Sequence, residues 1–515
     1  MDNLEKTAYI DNLDPLELGA FFDLIKQDAA LFLSKDKVFD NQAYEKGKAA
    51  IKQRPLPWHG SGLTEVISDI RKNILHGAVH QHNRHYMAFP DKGSSVAAQY
   101  ASLLSSVTNQ NVIADEKSAP TGTYVETAVI SWLRELLGFK VTDAFPSDAL
   151  ELGGVFVPGG VLANTVALLA ARQRAYPDSK LHGMQAQGRR PRVFVAGPTM
   201  SHYSHFGATW WLGIGYENVV EVACTSESKM DQNDLAAKLE ECLRNGDIPV
   251  AVIALAGDSR TNVIDDIPSL YAITQKYGTW LHVDACHGGI LAFDQTYTYR
   301  GRHFLSYCDS ITIDPHKHLA IPYANSVVLF KNPETLAAIG SSTDITIAYG
   351  SNDIGQVTPF IGSKPFDALK LYAVMLHYGV EGIKRLIDNR RAITWHWHDL
   401  LASSAYLQPM HEPHLFAQAF SVRPEGRSLE AVAALNKQLH DVLYQRGEVV
   451  VHNFNLCDYR NALGFGMGSK VRTLGTMIGY DDYSHGDLLA ILRIIEETCQ
   501  EILNTTVQKE LAIHS

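Results

Sequence analysis

The chain has 515 residues, of which 46% are hydrophobic and 20% charged, and its formal net charge is −11. This length and composition are typical of a soluble globular protein with two or three domains. The negative charge argues against nucleic acid or an anionic membrane as the main partner. The six cysteines are widely separated and form no paired motif, so we expect reduced thiols in a cytoplasmic protein.

Residues 1–90 are predicted to form a mostly helical N-terminal segment. A helical pattern over 14–33 is followed by an extended, proline-containing stretch at 54–60. Such a segment buries little surface alone, so we expect it to pack on another domain or on a second subunit. His76 and His80 have the i, i+4 spacing of a helical metal-ligand pair, but no matching carboxylate follows. We therefore predict no metal site.

Residues 91–380 are predicted to form a large α/β domain. Short apolar runs alternate with helical runs of ten or more residues, which predicts a mainly parallel sheet covered by helices on both faces. In such sheets ligands bind at the carboxyl ends of the strands. The predicted strands are at 154–157, 193–196, 219–223, 250–256, 280–284, 310–313 and 325–330.

Residues 381–515 are predicted to form a smaller α+β domain. Strands are expected at 415–422, 448–452 and 471–478, with helices at 429–443 and 487–503. Arg472 lies in the last of these strands. Its guanidinium could bind a carboxylate through two hydrogen bonds, and a structural salt bridge is the alternative.

Two residues at the ends of successive strand-like runs suggest the chemistry. Asp284 ends the run 280–284, and Lys317 follows the run 310–314 after Pro315 and His316. An amine that can condense with an aldehyde and a carboxylate that can pair with a pyridine nitrogen are what pyridoxal phosphate requires of a protein. The apolar surroundings of Lys317 lead us to expect that burial lowers its pKa.

Two turns could complete such a site. Gly159 and Gly160 join a strand to a helix, where free backbone N–H groups can approach a phosphate. His202 opens the turn 201–205, where its imidazole could stack on a planar ring or simply be a polar turn residue.

These motifs resemble those of the group II pyridoxal-phosphate-dependent amino-acid decarboxylases. The resemblance is carried by His-Val-Asp-Ala-x-x-Gly-Gly at 282–289 and Asp-Ser-Ile-Thr-Ile-Asp-Pro-His-Lys at 309–317, and it extends over roughly 75–380. It implies the aspartate aminotransferase-like fold type I of pyridoxal-phosphate enzymes. It also implies a homodimer with the active site at the interface, against which residues 1–90 would pack.

The resemblance also implies roles for individual residues. Lys317 corresponds to the Schiff-base lysine, Asp284 to the partner of the pyridine nitrogen, and His202 to the ring-stacking histidine. His316 is a further catalytic candidate. Residues 85–90 resemble a substrate-pocket segment that contains Phe89, and Arg472 is a second candidate for binding substrate. The remaining cofactor-binding candidates are Gly159, Gly160, Val161, Asn164, Ser259 and Asp314.

Several positions depart from the family pattern. Val161 stands where many relatives have a phosphate-binding Ser or Thr, and Asp258 is an added charge beside Ser259. His287 and His318 replace aromatic residues, which favours a polar, non-aromatic substrate and makes His287 a substrate-binding candidate.

The resemblance implies decarboxylation of an L-amino acid to an amine and carbon dioxide. Relatives carry a proton-donating tyrosine on a mobile loop, and Tyr349 is the candidate here. Without that tyrosine, the same scaffold can form an aldehyde by decarboxylation-coupled oxidative deamination, which is the alternative reaction. A non-catalytic scaffold should have lost Lys317 or Asp284, and both are present.

Overall fold

A computed structural model describes residues 9–90, 93–140, 145–184, 188–340 and 351–513. The strands within these ranges are β1 (Gly154–Val157), β2 (Pro191–Ala196), β3 (Val219–Val222), β4 (Ile248–Leu255), β5 (Trp280–Ala285), β6 (Thr298–Tyr299), β7 (Arg302–His303), β8 (Ser310–Ile313), β9 (Ser326–Phe330), β10 (Leu407–Pro409), β11 (Ala417–Val422), β12 (His452–Asp458) and β13 (Ser469–Met477). The α-helices are α1 (Pro15–Leu33), α2 (Asn41–Gln53), α3 (Leu63–Ile70), α4 (Val96–Thr108), α5 (Asp115–Ser118), α6 (Pro120–Leu137), α7 (Gly160–Ala175), α8 (Ser179–His182), α9 (Tyr203–Trp211), α10 (Gln232–Arg244), α11 (Ile267–Lys276), α12 (Pro315–His318), α13 (Glu334–Ile339), α14 (Ala368–Ser403), α15 (Leu429–Arg446) and α16 (His485–Ile513).

The large sheet has the strand order β1-β9-β8-β5-β4-β2-β3. Strands β3, β2, β4, β5 and β8 are parallel, and β9 runs antiparallel to both β8 and β1. The central strands β5 and β8 are buried at every position, as expected for strands covered by helices on both faces. The predicted α/β architecture with a mainly parallel sheet is confirmed.

The carboxyl ends of the parallel strands meet at one edge of this sheet. Asp284 lies near the end of β5, and Lys317 lies in α12, directly after β8. Gly159 and Gly160 follow β1, which runs in the same direction as β8 because both are antiparallel to β9. The candidate residues therefore converge although the sequence separates them by up to about 160 positions.

The second sheet is antiparallel, with the order β10-β11-β13-β12. The predicted strand at 448–452 is wrong, because β12 runs from His452 to Asp458. The predicted domain boundary at 380 lies beside Gly379, whose φ of +60° breaks α14 into two helical parts. The division at 90 and 380 remains a prediction.

The N-terminal segment is bound to the C-terminal part of the same chain. The amide of Val38 donates to the carbonyl of Gly447 at 2.9 Å, and the amide of Met87 donates to the carbonyl of Val450 at 2.7 Å. Packing of this segment on a partner subunit remains a prediction. In the described part of the chain, no helix combines the length and apolar character needed to span a membrane.

Candidate active site

Lys317 lies on α12 with its amine directed toward acidic groups. Its Nζ is 3.1 Å from Oδ2 of Asp314, whose Oδ1 accepts a 2.6 Å hydrogen bond from the hydroxyl of Ser326. Burial alone would lower the pKa of Lys317, but the charge of Asp314, with a smaller effect from Asp284, raises it above its usual range. The expectation of a lowered pKa is therefore wrong. The amine must transfer a proton before it can act as a nucleophile.

Asp284 is a buried carboxylate with three hydrogen-bond donors. Oδ2 accepts from Nε2 of His205 at 2.8 Å and from Nδ2 of Asn164 at 2.9 Å, and Oδ1 accepts from the amide of Cys286 at 3.1 Å. Burial alone would raise the pKa of Asp284, but the hydrogen bond from His205 and the other nearby groups hold it well below its usual range. The site thus maintains a negative charge in its interior.

His205 and Asn164 position this carboxylate. Sequence reasoning missed His205, although it lies three residues after His202 in a turn rich in polar side chains. Asn164, a candidate for the phosphate turn, bonds Asp284 and Ser204 instead, and its Oδ1 accepts from Nε2 of His282 at 3.0 Å. A contact between Asn164 and a phosphate remains a prediction.

His202 lies at the N-terminus of α9 and borders the cavity. Its Nδ1 accepts from the amide of Ser204, so the ring is held at the edge of the helix. Burial lowers the pKa of His202 to about 4, with smaller effects from nearby charges. The imidazole is therefore neutral at physiological pH, which suits a ring that stacks on a planar group.

The turn between β1 and α7 has room for a ligand only because it contains glycine. Gly159 has φ of +106°, a conformation that side chains disfavour. A Cβ atom on Gly160 would lie 2.6 Å from Oδ2 of Asp314 and 2.7 Å from Sγ of Cys286. The first N–H groups of a helix have no intrahelical partner, so this turn can bind an anion.

One cavity of about 270 Å³ brings most of the candidates together. A lysine amine, a buried carboxylate, a neutral imidazole and a glycine turn at a helix N-terminus all border it. This donor set fits the aldehyde, ring nitrogen, ring face and phosphate of pyridoxal phosphate. The predicted residues that line the cavity are Gly159, Gly160, Val161, Asn164, His202, Ser259, Asp284, His287, Asp314, His316 and Lys317.

His316 and His287 line the cavity, and His318 contacts His287. Nδ1 of His316 is 2.6 Å from the carbonyl of Asn325, so it donates there, and its Nε2 is 4.0 Å from Oδ2 of Asp314. Nδ1 of His287 is 3.1 Å from Nε2 of His318. Burial holds the pKa of both His287 and His318 well below the usual range, so this pair is neutral.

The remaining candidates do not line this cavity within the described part of the chain. Phe89 is 41% exposed, and its ring centroid is 4.5 Å from that of His452. Arg472 is exposed, and its Nε donates to Asn453. Tyr349 lies outside the described residues.

Comparisons with known proteins agree with the fold and identify a family. The family model for the pyridoxal-dependent decarboxylase conserved domain matches residues 47–423. An L-2,4-diaminobutyrate decarboxylase of Acinetobacter baumannii is 27% identical over 435 residues, covering 81% of this chain and 82% of that protein. An aspartate 1-decarboxylase of Aliivibrio fischeri is 28% identical over 429 residues, covering 79% and 75%. The crystal structure of mouse CSAD shares the fold, with a TM-score of 0.82 and 21% identity over 94% of this chain and 99% of that chain.

Proposed function

The chain belongs to the pyridoxal-dependent decarboxylase family, and on that basis we propose that it decarboxylates a polar, non-aromatic L-amino acid to the corresponding amine. The observation that carries this proposal is the buried Asp284 carboxylate and the Lys317 amine in one cavity. Pyridoxal phosphate, when bound, accepts the electron pair that the α-carbon retains as carbon dioxide leaves.

Four parts of the site would hold the cofactor. Lys317 would bind its aldehyde carbon, and Asp284 would pair with its ring nitrogen. His202 would lie against the ring, and the turn at Gly159 and Gly160 would bind the phosphate. Asp314 would hold the Lys317 ammonium, 3.1 Å away, and its contact with the cofactor remains a prediction.

The groups around Lys317 would transfer the protons that the reaction requires. Asp314 is close enough to take a proton from the lysine amine. Nδ1 of His316 donates to the carbonyl of Asn325, and its Nε2 lies 4.0 Å from Oδ2 of Asp314. We propose that His316 or Tyr349 returns a proton to the substrate carbon.

The substrate preference is supported by the His287–His318 pair. Of this pair His287 lines the cavity, where its neutral imidazole replaces the apolar surface that an aromatic side chain would offer, and His318 contacts its Nδ1. Phe89 and Arg472 remain candidates for binding substrate from outside the cavity. The cytoplasmic location that we propose is supported by six free cysteines, which suit a reducing compartment.

A panel of L-amino acids, incubated with the purified holoprotein, tests the reaction. Carbon dioxide and amine without hydrogen peroxide are expected. Aldehyde and peroxide in equal amounts would instead establish the oxidative alternative. Lys317→Ala should lose the visible absorbance of the lysine-bound cofactor, and persistence of that absorbance would contradict the lysine assignment.

We further propose a homodimer, supported by an apolar face of α4. Val96, Tyr100, Leu103 and Val107 are 85%, 68%, 49% and 51% exposed in the single chain. Adjacent exposed apolar side chains of this kind are typical of an interface. Light scattering should give twice the monomer mass, and Tyr100→Asp should lower it. A monomeric wild-type protein would contradict the proposal.

A further inference from the structure

Arg260 is a cationic side chain beside the residues that line the cavity, and its side chain has no hydrogen-bond or ion-pair partner among the described residues. It directly follows Gly257, Asp258 and Ser259, which line the cavity. Its Nη1 is buried and makes no hydrogen bond, and its guanidinium is in no ion pair within the described ranges. A buried donor without an acceptor costs about 1–3 kcal/mol, and more when it is charged. Such a group calls for an explanation.

The neighbouring acid does not supply the missing partner. Oδ1 of Asp258 accepts from the backbone amide of Arg260 at 2.7 Å, and its Oδ2 accepts from the amide of Val263 at 3.0 Å and from the hydroxyl of Thr261. These bonds close the loop that follows β4. The Asp258 carboxylate therefore shapes the loop, and the guanidinium of Arg260 is left for another acceptor.

His452 has a second buried nitrogen without a hydrogen-bond partner. Its Nδ1 is buried without a hydrogen bond, and its ring packs 4.5 Å from that of Phe89. Burial, with a smaller contribution from the charge of Arg260, lowers the pKa of His452 to about 4. The charge of Arg260 also contributes to the lowered pKa of His202, on the cavity wall. The guanidinium is therefore within electrostatic reach of both the cavity and His452.

We propose that Arg260 and His452 bind the side-chain carboxylate of the substrate, so that the enzyme acts on an acidic amino acid. This inference rests on the proposed decarboxylase function and narrows its substrate class. Arg260 supplies the charge, and the neutral imidazole of His452 supplies a hydrogen-bond donor. The ring of Phe89 packs against that of His452.

The carboxylate at this site is not the one that leaves. The α-carboxylate becomes neutral carbon dioxide, so a cation paired with it stabilises the substrate more than the transition state. A side-chain carboxylate keeps its charge throughout the reaction. Its pairing with Arg260 therefore holds the substrate in place without slowing the loss of carbon dioxide.

Calorimetric titration of the holoenzyme with succinate and with succinamate tests the binding site. Neither compound has an amine, so neither can be turned over, and they differ in one carboxylate. We expect succinate to bind about tenfold or more tightly than succinamate. Arg260→Met should remove this difference, and Arg260→Lys should retain part of it. The matched control is Arg244→Met, which removes an exposed arginine at the end of α10.

Turnover separates the two proposals. Carbon dioxide from L-aspartate or L-glutamate, but little from L-asparagine, is expected. Carbon dioxide only from neutral or cationic amino acids would overturn the acidic-substrate inference and leave the decarboxylase proposal intact. Succinate binding that Arg260→Met leaves unchanged would overturn it as well. Arg260-dependent succinate binding without carbon dioxide from any amino acid would support the anion site and refute the decarboxylase function.

Discussion

The buried ion pair between Glu126 and Lys364 allows a quantitative prediction. Nζ of Lys364 donates to Oε1 of Glu126, and both side chains are at most 2% exposed. The pair joins α6 to the chain that leads into α14. Burial raises the pKa of Glu126, and the charge of Lys364 opposes that rise. In Lys364→Met the opposing charge is gone, so folded Glu126 must take up a proton at neutral pH.

The size of the effect follows from the free energy of that protonation. A glutamate carboxyl in the unfolded chain has a pKa of about 4.3, which is roughly 2.7 units below pH 7. Protonating it at pH 7 costs about 1.4 kcal/mol for each of these units. The free energy of unfolding should therefore fall by at most about 3.7 kcal/mol, close to the roughly 3–5 kcal/mol usual for a broken buried pair. Because the folded variant binds a proton that the unfolded chain releases, its stability should decrease by about 1.4 kcal/mol per pH unit as pH rises.

Urea unfolding of the holoprotein between pH 6 and pH 8 measures this loss. The double variant Glu126→Gln/Lys364→Met contains no ionisable group at this position. It should recover most of the stability and show no added pH dependence. A loss in Lys364→Met that is independent of pH, or below about 1 kcal/mol at pH 8, would refute the reasoning.

Three further predictions concern the site. Gly160→Ala should weaken pyridoxal-phosphate binding by about tenfold or more, because the alanine Cβ has no room. The control Gly19→Ala, at a position with open space, should leave the affinity unchanged. A cofactor titration that gives Gly160→Ala the wild-type affinity would contradict the prediction. His205→Phe should lower the free energy of unfolding at pH 7 by about 1–3 kcal/mol, since Asp284 loses a donor; a urea midpoint equal to the wild type would count against it. The melting temperature should fall as the pH is lowered from 6.5 to 4. In this range histidines of the unfolded chain bind protons, whereas the buried histidines of the folded protein, whose pKa is low, stay neutral. A constant melting temperature over this range would exclude the effect. These histidines are His202, His282, His411 and His452.

The large sheet was predictable because its strands are continuous apolar runs. Each such run lies between helices, so local composition and burial agree. The strand predicted at 448–452, where the structure has β12 at His452–Asp458, shows where this reasoning fails. Val449, Val450 and Val451 form the most strand-like run there, but Val450 bridges to Tyr86 of the N-terminal segment. The more polar residues 452–458 form the ladder with β13 instead.

The identity of the site residues was more predictable than their interactions. Asp284 and Lys317 are adjacent to recognisable motifs, and the strand ends bring them together. The two side-chain donors to Asp284 come from positions 79 and 120 residues away along the chain, so no local pattern marks His205 as one of them. The raised pKa of Lys317 depends on the 3.1 Å contact between its Nζ and Oδ2 of Asp314. The order of residues along the chain does not specify that these two side chains point toward each other.

The attachment of the N-terminal segment to the C-terminal part has a consequence for biosynthesis. The amide of Val450 donates to the carbonyl of His85 at 3.1 Å, and the hydroxyl of Tyr480 donates to the carbonyl of His82 at 2.8 Å. At about 5–20 residues per second, a ribosome needs roughly 20–80 s to make the chain between these partners. The N-terminal segment therefore lacks these partners until residues 447–480 have been synthesised. Chaperone occupancy should be greatest on this segment during that interval.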